Sequence, residues 1–425
     1  MLLLKTYIGC YIDKIFCTSA SFIGYHKISG TYCIKMPSHY LLGCSLLAVA
    51  ATSSSAGDID CGFKSSYPKQ YVSSKTSEKL VMDGKLDEES WQHASFTDDF
   101  VDISTQTTPK FLTKAKILWD DEFLYIGAIL QENQIWANIS KTCHCVDPSE
   151  DQVIFHDNDF EIFVDPDGST QYYKEFEMNA YNATWDLVLN KPYSDGGYEN
   201  SSRVFGVEGF DMQPPLVCGV SIDGGTINDP ATSPTTQGWT VEVAIPLISL
   251  AVNETVTVPP KDGTFWRINF SRVEWHVEVS DNQYYKYPCC QSCPIPGEPH
   301  EDNWVWSPMG EINMHAPDKW GLLQFSESES GSEPVFYVEW PIRHIAMTIY
   351  NAEHAFFNTY GSFTANVSAL NDFASPPILE NSVCSQQPLI ESDGATFLAH
   401  VTDVSGLLTA SIRNDRLLTM EYLAP

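Results

Sequence analysis

Positive charge is what this chain has least of. Its 425 residues carry 24 Lys and Arg against 55 Asp and Glu, a formal net charge of −31 at pH 7. Such a surface repels phosphate backbones and anionic lipid headgroups, which excludes nucleic acids and anionic membranes as partners. Long apolar runs are also missing. The stretch Tyr40 to Ala51 is too short for a permanent helical span, so no stable transmembrane span is expected. No EF-hand loop and no usual zinc-ligand spacing occurs, and no long helical pattern precedes the last hundred residues. What is present belongs to a folded protein: 43% hydrophobic and 12% aromatic residues exclude a disordered chain. The length allows two domains or one large sandwich with additions.

Residues 1–56 read as an N-terminal leader. Met36 is the expected start, since MPSHYLLGCSLLAVAATSSSAGD has secretory-signal organisation: an apolar core, then small residues up to a cut after Ala56. The expected location is therefore secreted and extracellular. Of 12 cysteines, Cys10, Cys17, Cys33 and Cys44 fall in the leader. The others are Cys61, Cys143, Cys145, Cys218, Cys289, Cys290, Cys293 and Cys384, an even set that reads as disulfides in a secretory context. A bridge from the 143–145 loop to the 289–293 loop is one option, and the sequence does not fix the connectivity. Asn138, Asn182, Asn200, Asn253, Asn269 and Asn366 open glycosylation sequons, and Asn269 sits in an apolar strand pattern that would shield it.

The central stretch runs from Phe155 to Leu189. Phe160–Val164 is a strand pattern, Asp165-Pro166-Asp167-Gly168 is a turn, and Tyr172–Tyr181 returns as a second strand. In the return strand Glu175, Glu177 and Asn179 share one face, while Phe176, Met178 and Ala180 share the other. One face belongs to a core and the other is polar. Lys114–Trp119 and Phe123–Gln131 form a hairpin, and Gly238–Leu247 puts Trp239, Val241, Val243 and Ile245 on one face. Phe265–Trp275 and Trp320–Phe325 complete the strands.

The fold class expected is all-β: an antiparallel β-sandwich of jelly-roll or immunoglobulin-like type over residues 80–326, after a linker at 57–79. An acidic, serine-rich linker covers 327–340. Residues 341–425 form a small α+β appendage: Ile342–Asn358 has helical spacing, while Ala395–Val401 and Leu407–Ile412 alternate as strands.

Several separated segments carry a resemblance. They are Asp83-Gly84-Lys85-Leu86-Asp87-Glu88 with Trp91, the hairpin Leu118–Gly127, the segment Asp157–Gly168, Gly238–Pro246, Asn269–Trp275, Glu301–Pro308 and Trp320-Gly321. In that order they resemble family 9 carbohydrate-binding modules over about residues 80–326. The resemblance implies a β-sandwich, sugar binding of the xylan or cellulose type and, often, structural calcium. It further implies that Glu161 bonds sugar hydroxyls. The two tryptophans that hold the sugar in characterised modules correspond here to Phe155 and Met314.

The residues themselves argue for a polysaccharide or oligosaccharide ligand. A sugar presents C–H faces and a hydroxyl rim, which call for aromatic platforms beside carboxylates, amides or Arg. Trp185, Trp275, Trp304 and Trp306 are the candidate platforms, with Phe155 at the mouth. Glu161, Asn179, Arg272 and Glu274 are the candidate polar contacts, because the strand 265–275 begins apolar and ends charged. A core position for Trp304 and Trp306, and a structural ion pair for Arg272 and Glu274, are the alternatives. Asp157, Asp159, Asp165 and Asp167 are the candidate ligands for calcium. Catalysis is not required by any of this. A glycoside hydrolase using Glu161 and Glu274 as opposed carboxylates is one alternative, and an extracellular adhesive or envelope protein is another.

Overall fold

The computed structural model describes residues 16–18, 32–34, 61, 64–140, 152–229, 237–281, 283–286, 299–328, 332–375 and 383–423. The leader's apolar core and the cysteines at 143, 145, 289, 290 and 293 lie outside them. The chain divides into a unit of residues 1–57 and a unit of residues 58–425. In the first, β1 (Phe16–Thr18) pairs antiparallel with β2 (Tyr32–Ile34).

The second unit holds one large curled sheet. Its strands begin with β3 (Gln70–Lys75), β4 (Val101–Asp102), β5 (Thr113–Trp119) and β6 (Phe123–Gln131). The central group is β7 (Asp159–Asp165), β8 (Tyr173–Asn179), β9 (Thr184–Leu189) and β10 (Glu199–Asn200). Next come β11 (Val217–Asp223), β12 (Gly238–Pro246) and β13 (Phe265–Trp275). A separate hairpin, β14 (Val277–Ser280) with β15 (Gln283–Lys286), precedes β16 (Glu301–Val305) and β17 (Gly321–Ser326). The spatial order is β10-β9-β8-β7-β13-β17-β3-β5-β6-β12-β11, with β16 and β4 continuing from the far part of β13.

Ile162 and Phe176 on one arm share a single apolar cluster with Ile126 and Val241 on the other, so the sheet folds over on itself and encloses a sandwich core. Trp119, Trp239 and Trp266 are buried there, each contributing about 2–3 kcal/mol through the water it displaces. Two expectations need correction. The sheet is mixed, because β3 runs parallel to both β17 and β5. The segment 57–79 is not all linker either, since β3 joins the two arms. Its sequence, QYVSSK, hid this: only Tyr71 and Ser73 point inward, and Ser73 gives no apolar signal.

The motif Asp83–Asp87 acquires a structural meaning. The Glu242 carboxylate on β12 accepts the backbone N–H groups of Asp83, Gly84 and Lys85 at 2.8–3.1 Å and the Trp91 indole N–H at 2.7 Å. Gly84 has φ +85°, and a Cβ there would lie 2.3 Å from the Ser221 nitrogen, so the close approach admits only glycine.

The C-terminal portion is a helix, Trp340–Tyr360, over a four-stranded antiparallel sheet of β18 (Leu389–Ser392), β19 (Phe397–Thr402), β20 (Leu408–Arg413) and β21 (Leu418–Tyr422). Ile345 and Ile349 of the helix pack with Ala399 and Ile412 of the sheet. This portion grips the Asp165–Gly168 turn: Arg343 donates to the carbonyls of Gly168 (2.9 Å) and Asp167 (3.2 Å), and Leu418 N–H to that of Ser169 (3.1 Å). Arg416 pairs with Asp195 and Asp318 of the sandwich. A disulfide, Cys61–Cys384, closes the two ends of the unit.

Candidate functional site

The polar face read from β8 becomes concrete once register is known. Glu161 of β7 stands opposite Glu177 of β8, and Glu177 opposite Trp185 of β9. Asp159 faces Asn179, and Phe163 faces Glu175. On the other side of β7, Ser271 and Val273 of β13 face Glu161 and Asp159. All these side chains project from the outer face of the sheet, because directly opposed residues share a face. A cleft of about 310 Å³ opens over them. Glu161, Glu175 and Glu177 form its floor, and Phe155, Trp185, Tyr193, Met314 and His315 its walls. Phe155 and Tyr193 are 37% and 45% exposed, so their rings are available at the rim. A larger cavity, about 470 Å³, lies in the seam between the sandwich and the helix Trp340–Tyr360.

The electrostatics of the floor are unusual. Burial pushes the Glu161 carboxyl up to about 7. Burial first, and then repulsion from Glu161, raises Asp159, Glu175 and Glu177 well above the ordinary carboxylate range. Among the described residues no Lys or Arg forms an ion pair with any of the four. Burial also drives His315 down to about 4, so it is neutral, and its Nδ1 lies 3.0 Å from the Tyr173 hydroxyl. Two polar atoms of cleft residues, Trp185 Nε1 and Glu175 Oε2, are buried without a hydrogen-bond partner.

The structure separates the expected ligand residues. Glu161, Phe155 and Trp185 line the cleft. Arg272 and Glu274 do not: they share the parity of Phe270 and point into the core. There Arg272 bonds Glu274 (2.8 Å) and Glu132 (2.9 Å) and lies 5.0 Å over the Trp304 ring. Glu161 and Glu274 therefore occupy opposite faces of the sheet and cannot flank one glycosidic bond. Trp304 opposes Arg272 in register, and Trp304 and Trp306 are both core residues. Asn179 is saturated by the protein, donating to Ile139 O and Asp157 and accepting from the N–H groups of Tyr181 and Ala183. Trp275 is half-buried and anchors the mouth, its indole N–H donating to Phe155 O at 2.8 Å.

Glu175, Glu177, Tyr193 and His315 were not among the expected ligand residues. The parity that selected Asn179 also places Glu175 and Glu177 on its face, and was the available signal for them. Tyr193 and His315 arrive from loops and leave no local signal.

The metal candidates divide as well. Asp157 accepts the N–H groups of Asn138 and Ile139 and the Asn179 amide through Oδ2, so that oxygen is used within the fold. Asp165 and Asp167 gather with Glu254, but Lys174 lies among them, 2.9 Å from Glu254, and serves as the internal cation. Asp159 differs. With Glu161 and Glu177 it forms a buried trio whose ligand atoms all lie within 4.8 Å of one another, and its Oδ2 has no partner. Hard oxygen donors in that arrangement suit a calcium-type ion.

Residues 82–265 match the family model for the carbohydrate family 9 binding domain-like group. The family 9 match thus includes β5–β12 and the floor of the cleft, while β13 to β17 complete the sheet beyond it. No curated protein matches the chain. Similar solved structures include a family 9 carbohydrate-binding module from Caldicellulosiruptor kristjanssonii in complex with cellotriose, at 14% identity and TM-score 0.34, over 63% of this chain and 100% of that one. A proposed carbohydrate-binding protein from Bacteroides uniformis is 18% identical, with TM-score 0.38, over 61% of this chain and 100% of that one.

Proposed function

We propose that this is a secreted carbohydrate-binding protein that holds a plant or algal cell-wall polysaccharide, of xylan or cellulose type, in the cleft above Glu161. The match of residues 82–265 to the carbohydrate family 9 binding domain-like model supports a carbohydrate ligand. The observation that carries the reading is the pair of unpartnered buried groups, the Trp185 N–H donor and the Glu175 acceptor, in one cleft rimmed by exposed Phe155 and Tyr193. A buried polar group without a partner costs about 1–3 kcal/mol, and a sugar hydroxyl both donates and accepts. The rings meet its C–H faces. The secretory leader, the sequons and the Cys61–Cys384 bridge support an extracellular location.

Calorimetric titration with xylo- and cello-oligosaccharides and laminarin, with analysis of the recovered sugars, tests this. Saturable binding of at least one series is expected, abolished by Glu161→Ala and weakened roughly tenfold by Trp185→Phe, which keeps a ring and removes the donor. Absence of saturable heat with every glycan would refute it. Shortened sugars would move the assignment to a hydrolase.

A further inference from the structure

Buried carboxylates that converge in this fold are met by a cation. Lys174 lies 2.9 Å from Glu254 beside Asp165 and Asp167, Arg272 bonds both Glu132 and Glu274, and Arg416 joins Asp195 to Asp318. The cleft is the exception. Glu161, Glu175, Glu177 and Glu301 line it, and among its described lining residues there is no Lys or Arg. The one imidazole there, His315, is neutral and lies against the Tyr173 hydroxyl. Two buried groups of the cleft are unmatched, and they are of opposite kinds. Glu175 Oε2 is an acceptor on a residue 5% exposed, and Trp185 Nε1 is a donor on a residue 4% exposed. Glu177 stands opposite Trp185, so Glu175 is the diagonal neighbour of Trp185 on the same face, with the two backbones about 7–8 Å apart.

A bare cation answers the carboxylates and leaves the indole N–H without an acceptor. A neutral sugar answers both orphans and leaves the floor without a cation. A sugar unit that carries an ammonium group beside its hydroxyls answers all three. We propose that the cleft prefers a β-1,4-linked chain of amine-bearing sugars, of the glucosamine type, over its neutral counterpart, and that Glu175 reads the amine. This rests on the sugar reading above and narrows it, since such a chain has the cellulose backbone with an amine in place of one ring hydroxyl. The ammonium donates to Glu175 Oε2 in a charge-assisted hydrogen bond, roughly twice as strong as the neutral kind. A hydroxyl oxygen of the same unit or the next accepts the Trp185 N–H. The exposed rings of Phe155 and Tyr193 at the rim add the attraction of an aromatic face for a cation to their contact with C–H faces. An N-acetylated unit loses the charge. A uronate unit adds a like charge to a cleft already lined by carboxylates, so both are disfavoured.

Glucosamine trimer, its fully N-acetylated form and cellotriose share one backbone. Each is titrated into the whole protein by calorimetry at pH 6.5, where glucosamine is a cation, with chelator present so that no divalent ion competes. Salt is held at about 150 mM, which screens exposed charges beyond about 8 Å. The glucosamine trimer should bind at least tenfold more tightly than either of the others, the margin of a charge-assisted over a neutral hydrogen bond. Glu175→Gln should erase that margin, with far-UV circular dichroism confirming its fold; the wild-type comparison needs no variant. Trilysine, a cation without a sugar ring, should bind at least tenfold more weakly than the glucosamine trimer. Equal affinity for the three sugars, or tighter binding of a neutral one, overturns the inference and keeps the sugar reading. A margin that survives Glu175→Gln is general attraction to the acidic surface and overturns the site. Trilysine binding as tightly as the glucosamine trimer overturns the sugar part of the preference. No saturable heat with any of the three sugars removes the sugar reading itself, and the inference with it.

Discussion

Replacing Arg272 by methionine tests whether the end of β13 belongs to the core or to a ligand site. The guanidinium is wholly buried and makes contacts with five partners: Glu274 through Nε and Nη2, Glu132 through Nη2, and Thr113 and Gln131 O through Nη1, while Trp304 lies beneath it. Methionine retains most of the volume but leaves two buried carboxylates without a cation. Breaking a buried pair in this way costs about 3–5 kcal/mol, most of it the stranded charge. Urea unfolding followed by tryptophan fluorescence should show that loss at pH 8. Burial and Glu274 already raise the Glu132 carboxyl well above its ordinary range, and Arg272 opposes them. Without the arginine the folded-state value rises further above the unfolded one. A raised carboxyl contributes stability at low pH that is lost as pH increases, so the variant's deficit should be smaller at pH 5 than at pH 8. Adding Glu132→Gln and Glu274→Gln to the variant should recover at least half of the loss, because the charges are then gone from both sides. Sugar binding per folded molecule should not change. A loss below about 1 kcal/mol, or lost sugar binding with unaltered stability, would refute the core assignment.

Three further outcomes follow from the same structure. Reducing Cys61–Cys384, or replacing both residues by serine, should lower the melting temperature, since a bridge spanning 323 residues restrains the unfolded chain by up to about 5 kcal/mol; an unchanged melt would remove the bridge from the stability of the fold. Tyr193→Ala takes away an exposed ring at the cleft mouth and should weaken oligosaccharide binding by about tenfold, the worth of one aromatic contact, without moving the melt. Burial pushes the Glu353 carboxyl up to about 7, so in the folded state it holds a proton above pH 4.5 that the unfolded chain has released. Its contribution is full at low pH and is lost as pH rises through 7. Glu353→Gln, which can still accept the Thr364 N–H, should therefore flatten the decline in stability between pH 5 and 8; an unchanged slope would rule this group out as its source.

How much of this was legible depends on whether a residue's neighbours are local. Period-two alternation identified β6, β8, β12 and β13 because each carries its own inside and outside, and 3.6-residue spacing identified the helix Trp340–Tyr360 for the same reason. The parallel junction through β3 was illegible, since its partners are 44 or more residues away and its inward Ser73 carries no apolar mark.

The site shows the same division more sharply. Parity placed Arg272 with Phe270 on the core side, and charge argued it out to a rim; the structure follows parity, because Glu132, at the end of β6, supplies a partner that no local reading of β13 contains. Charge is thus a weak guide to exposure wherever a second strand can answer it. On the opposite face the reasoning inverts. Glu161, Glu177 and Asp159 share a face by parity, yet no strand answers them among the described residues, and only the register of β7 against β8 brings that out. A buried charge with an internal partner belongs to the fold. Buried charges without one need protons or a ligand, and a trio of oxygens within 4.8 Å that also opens into a cleft favours the ligand.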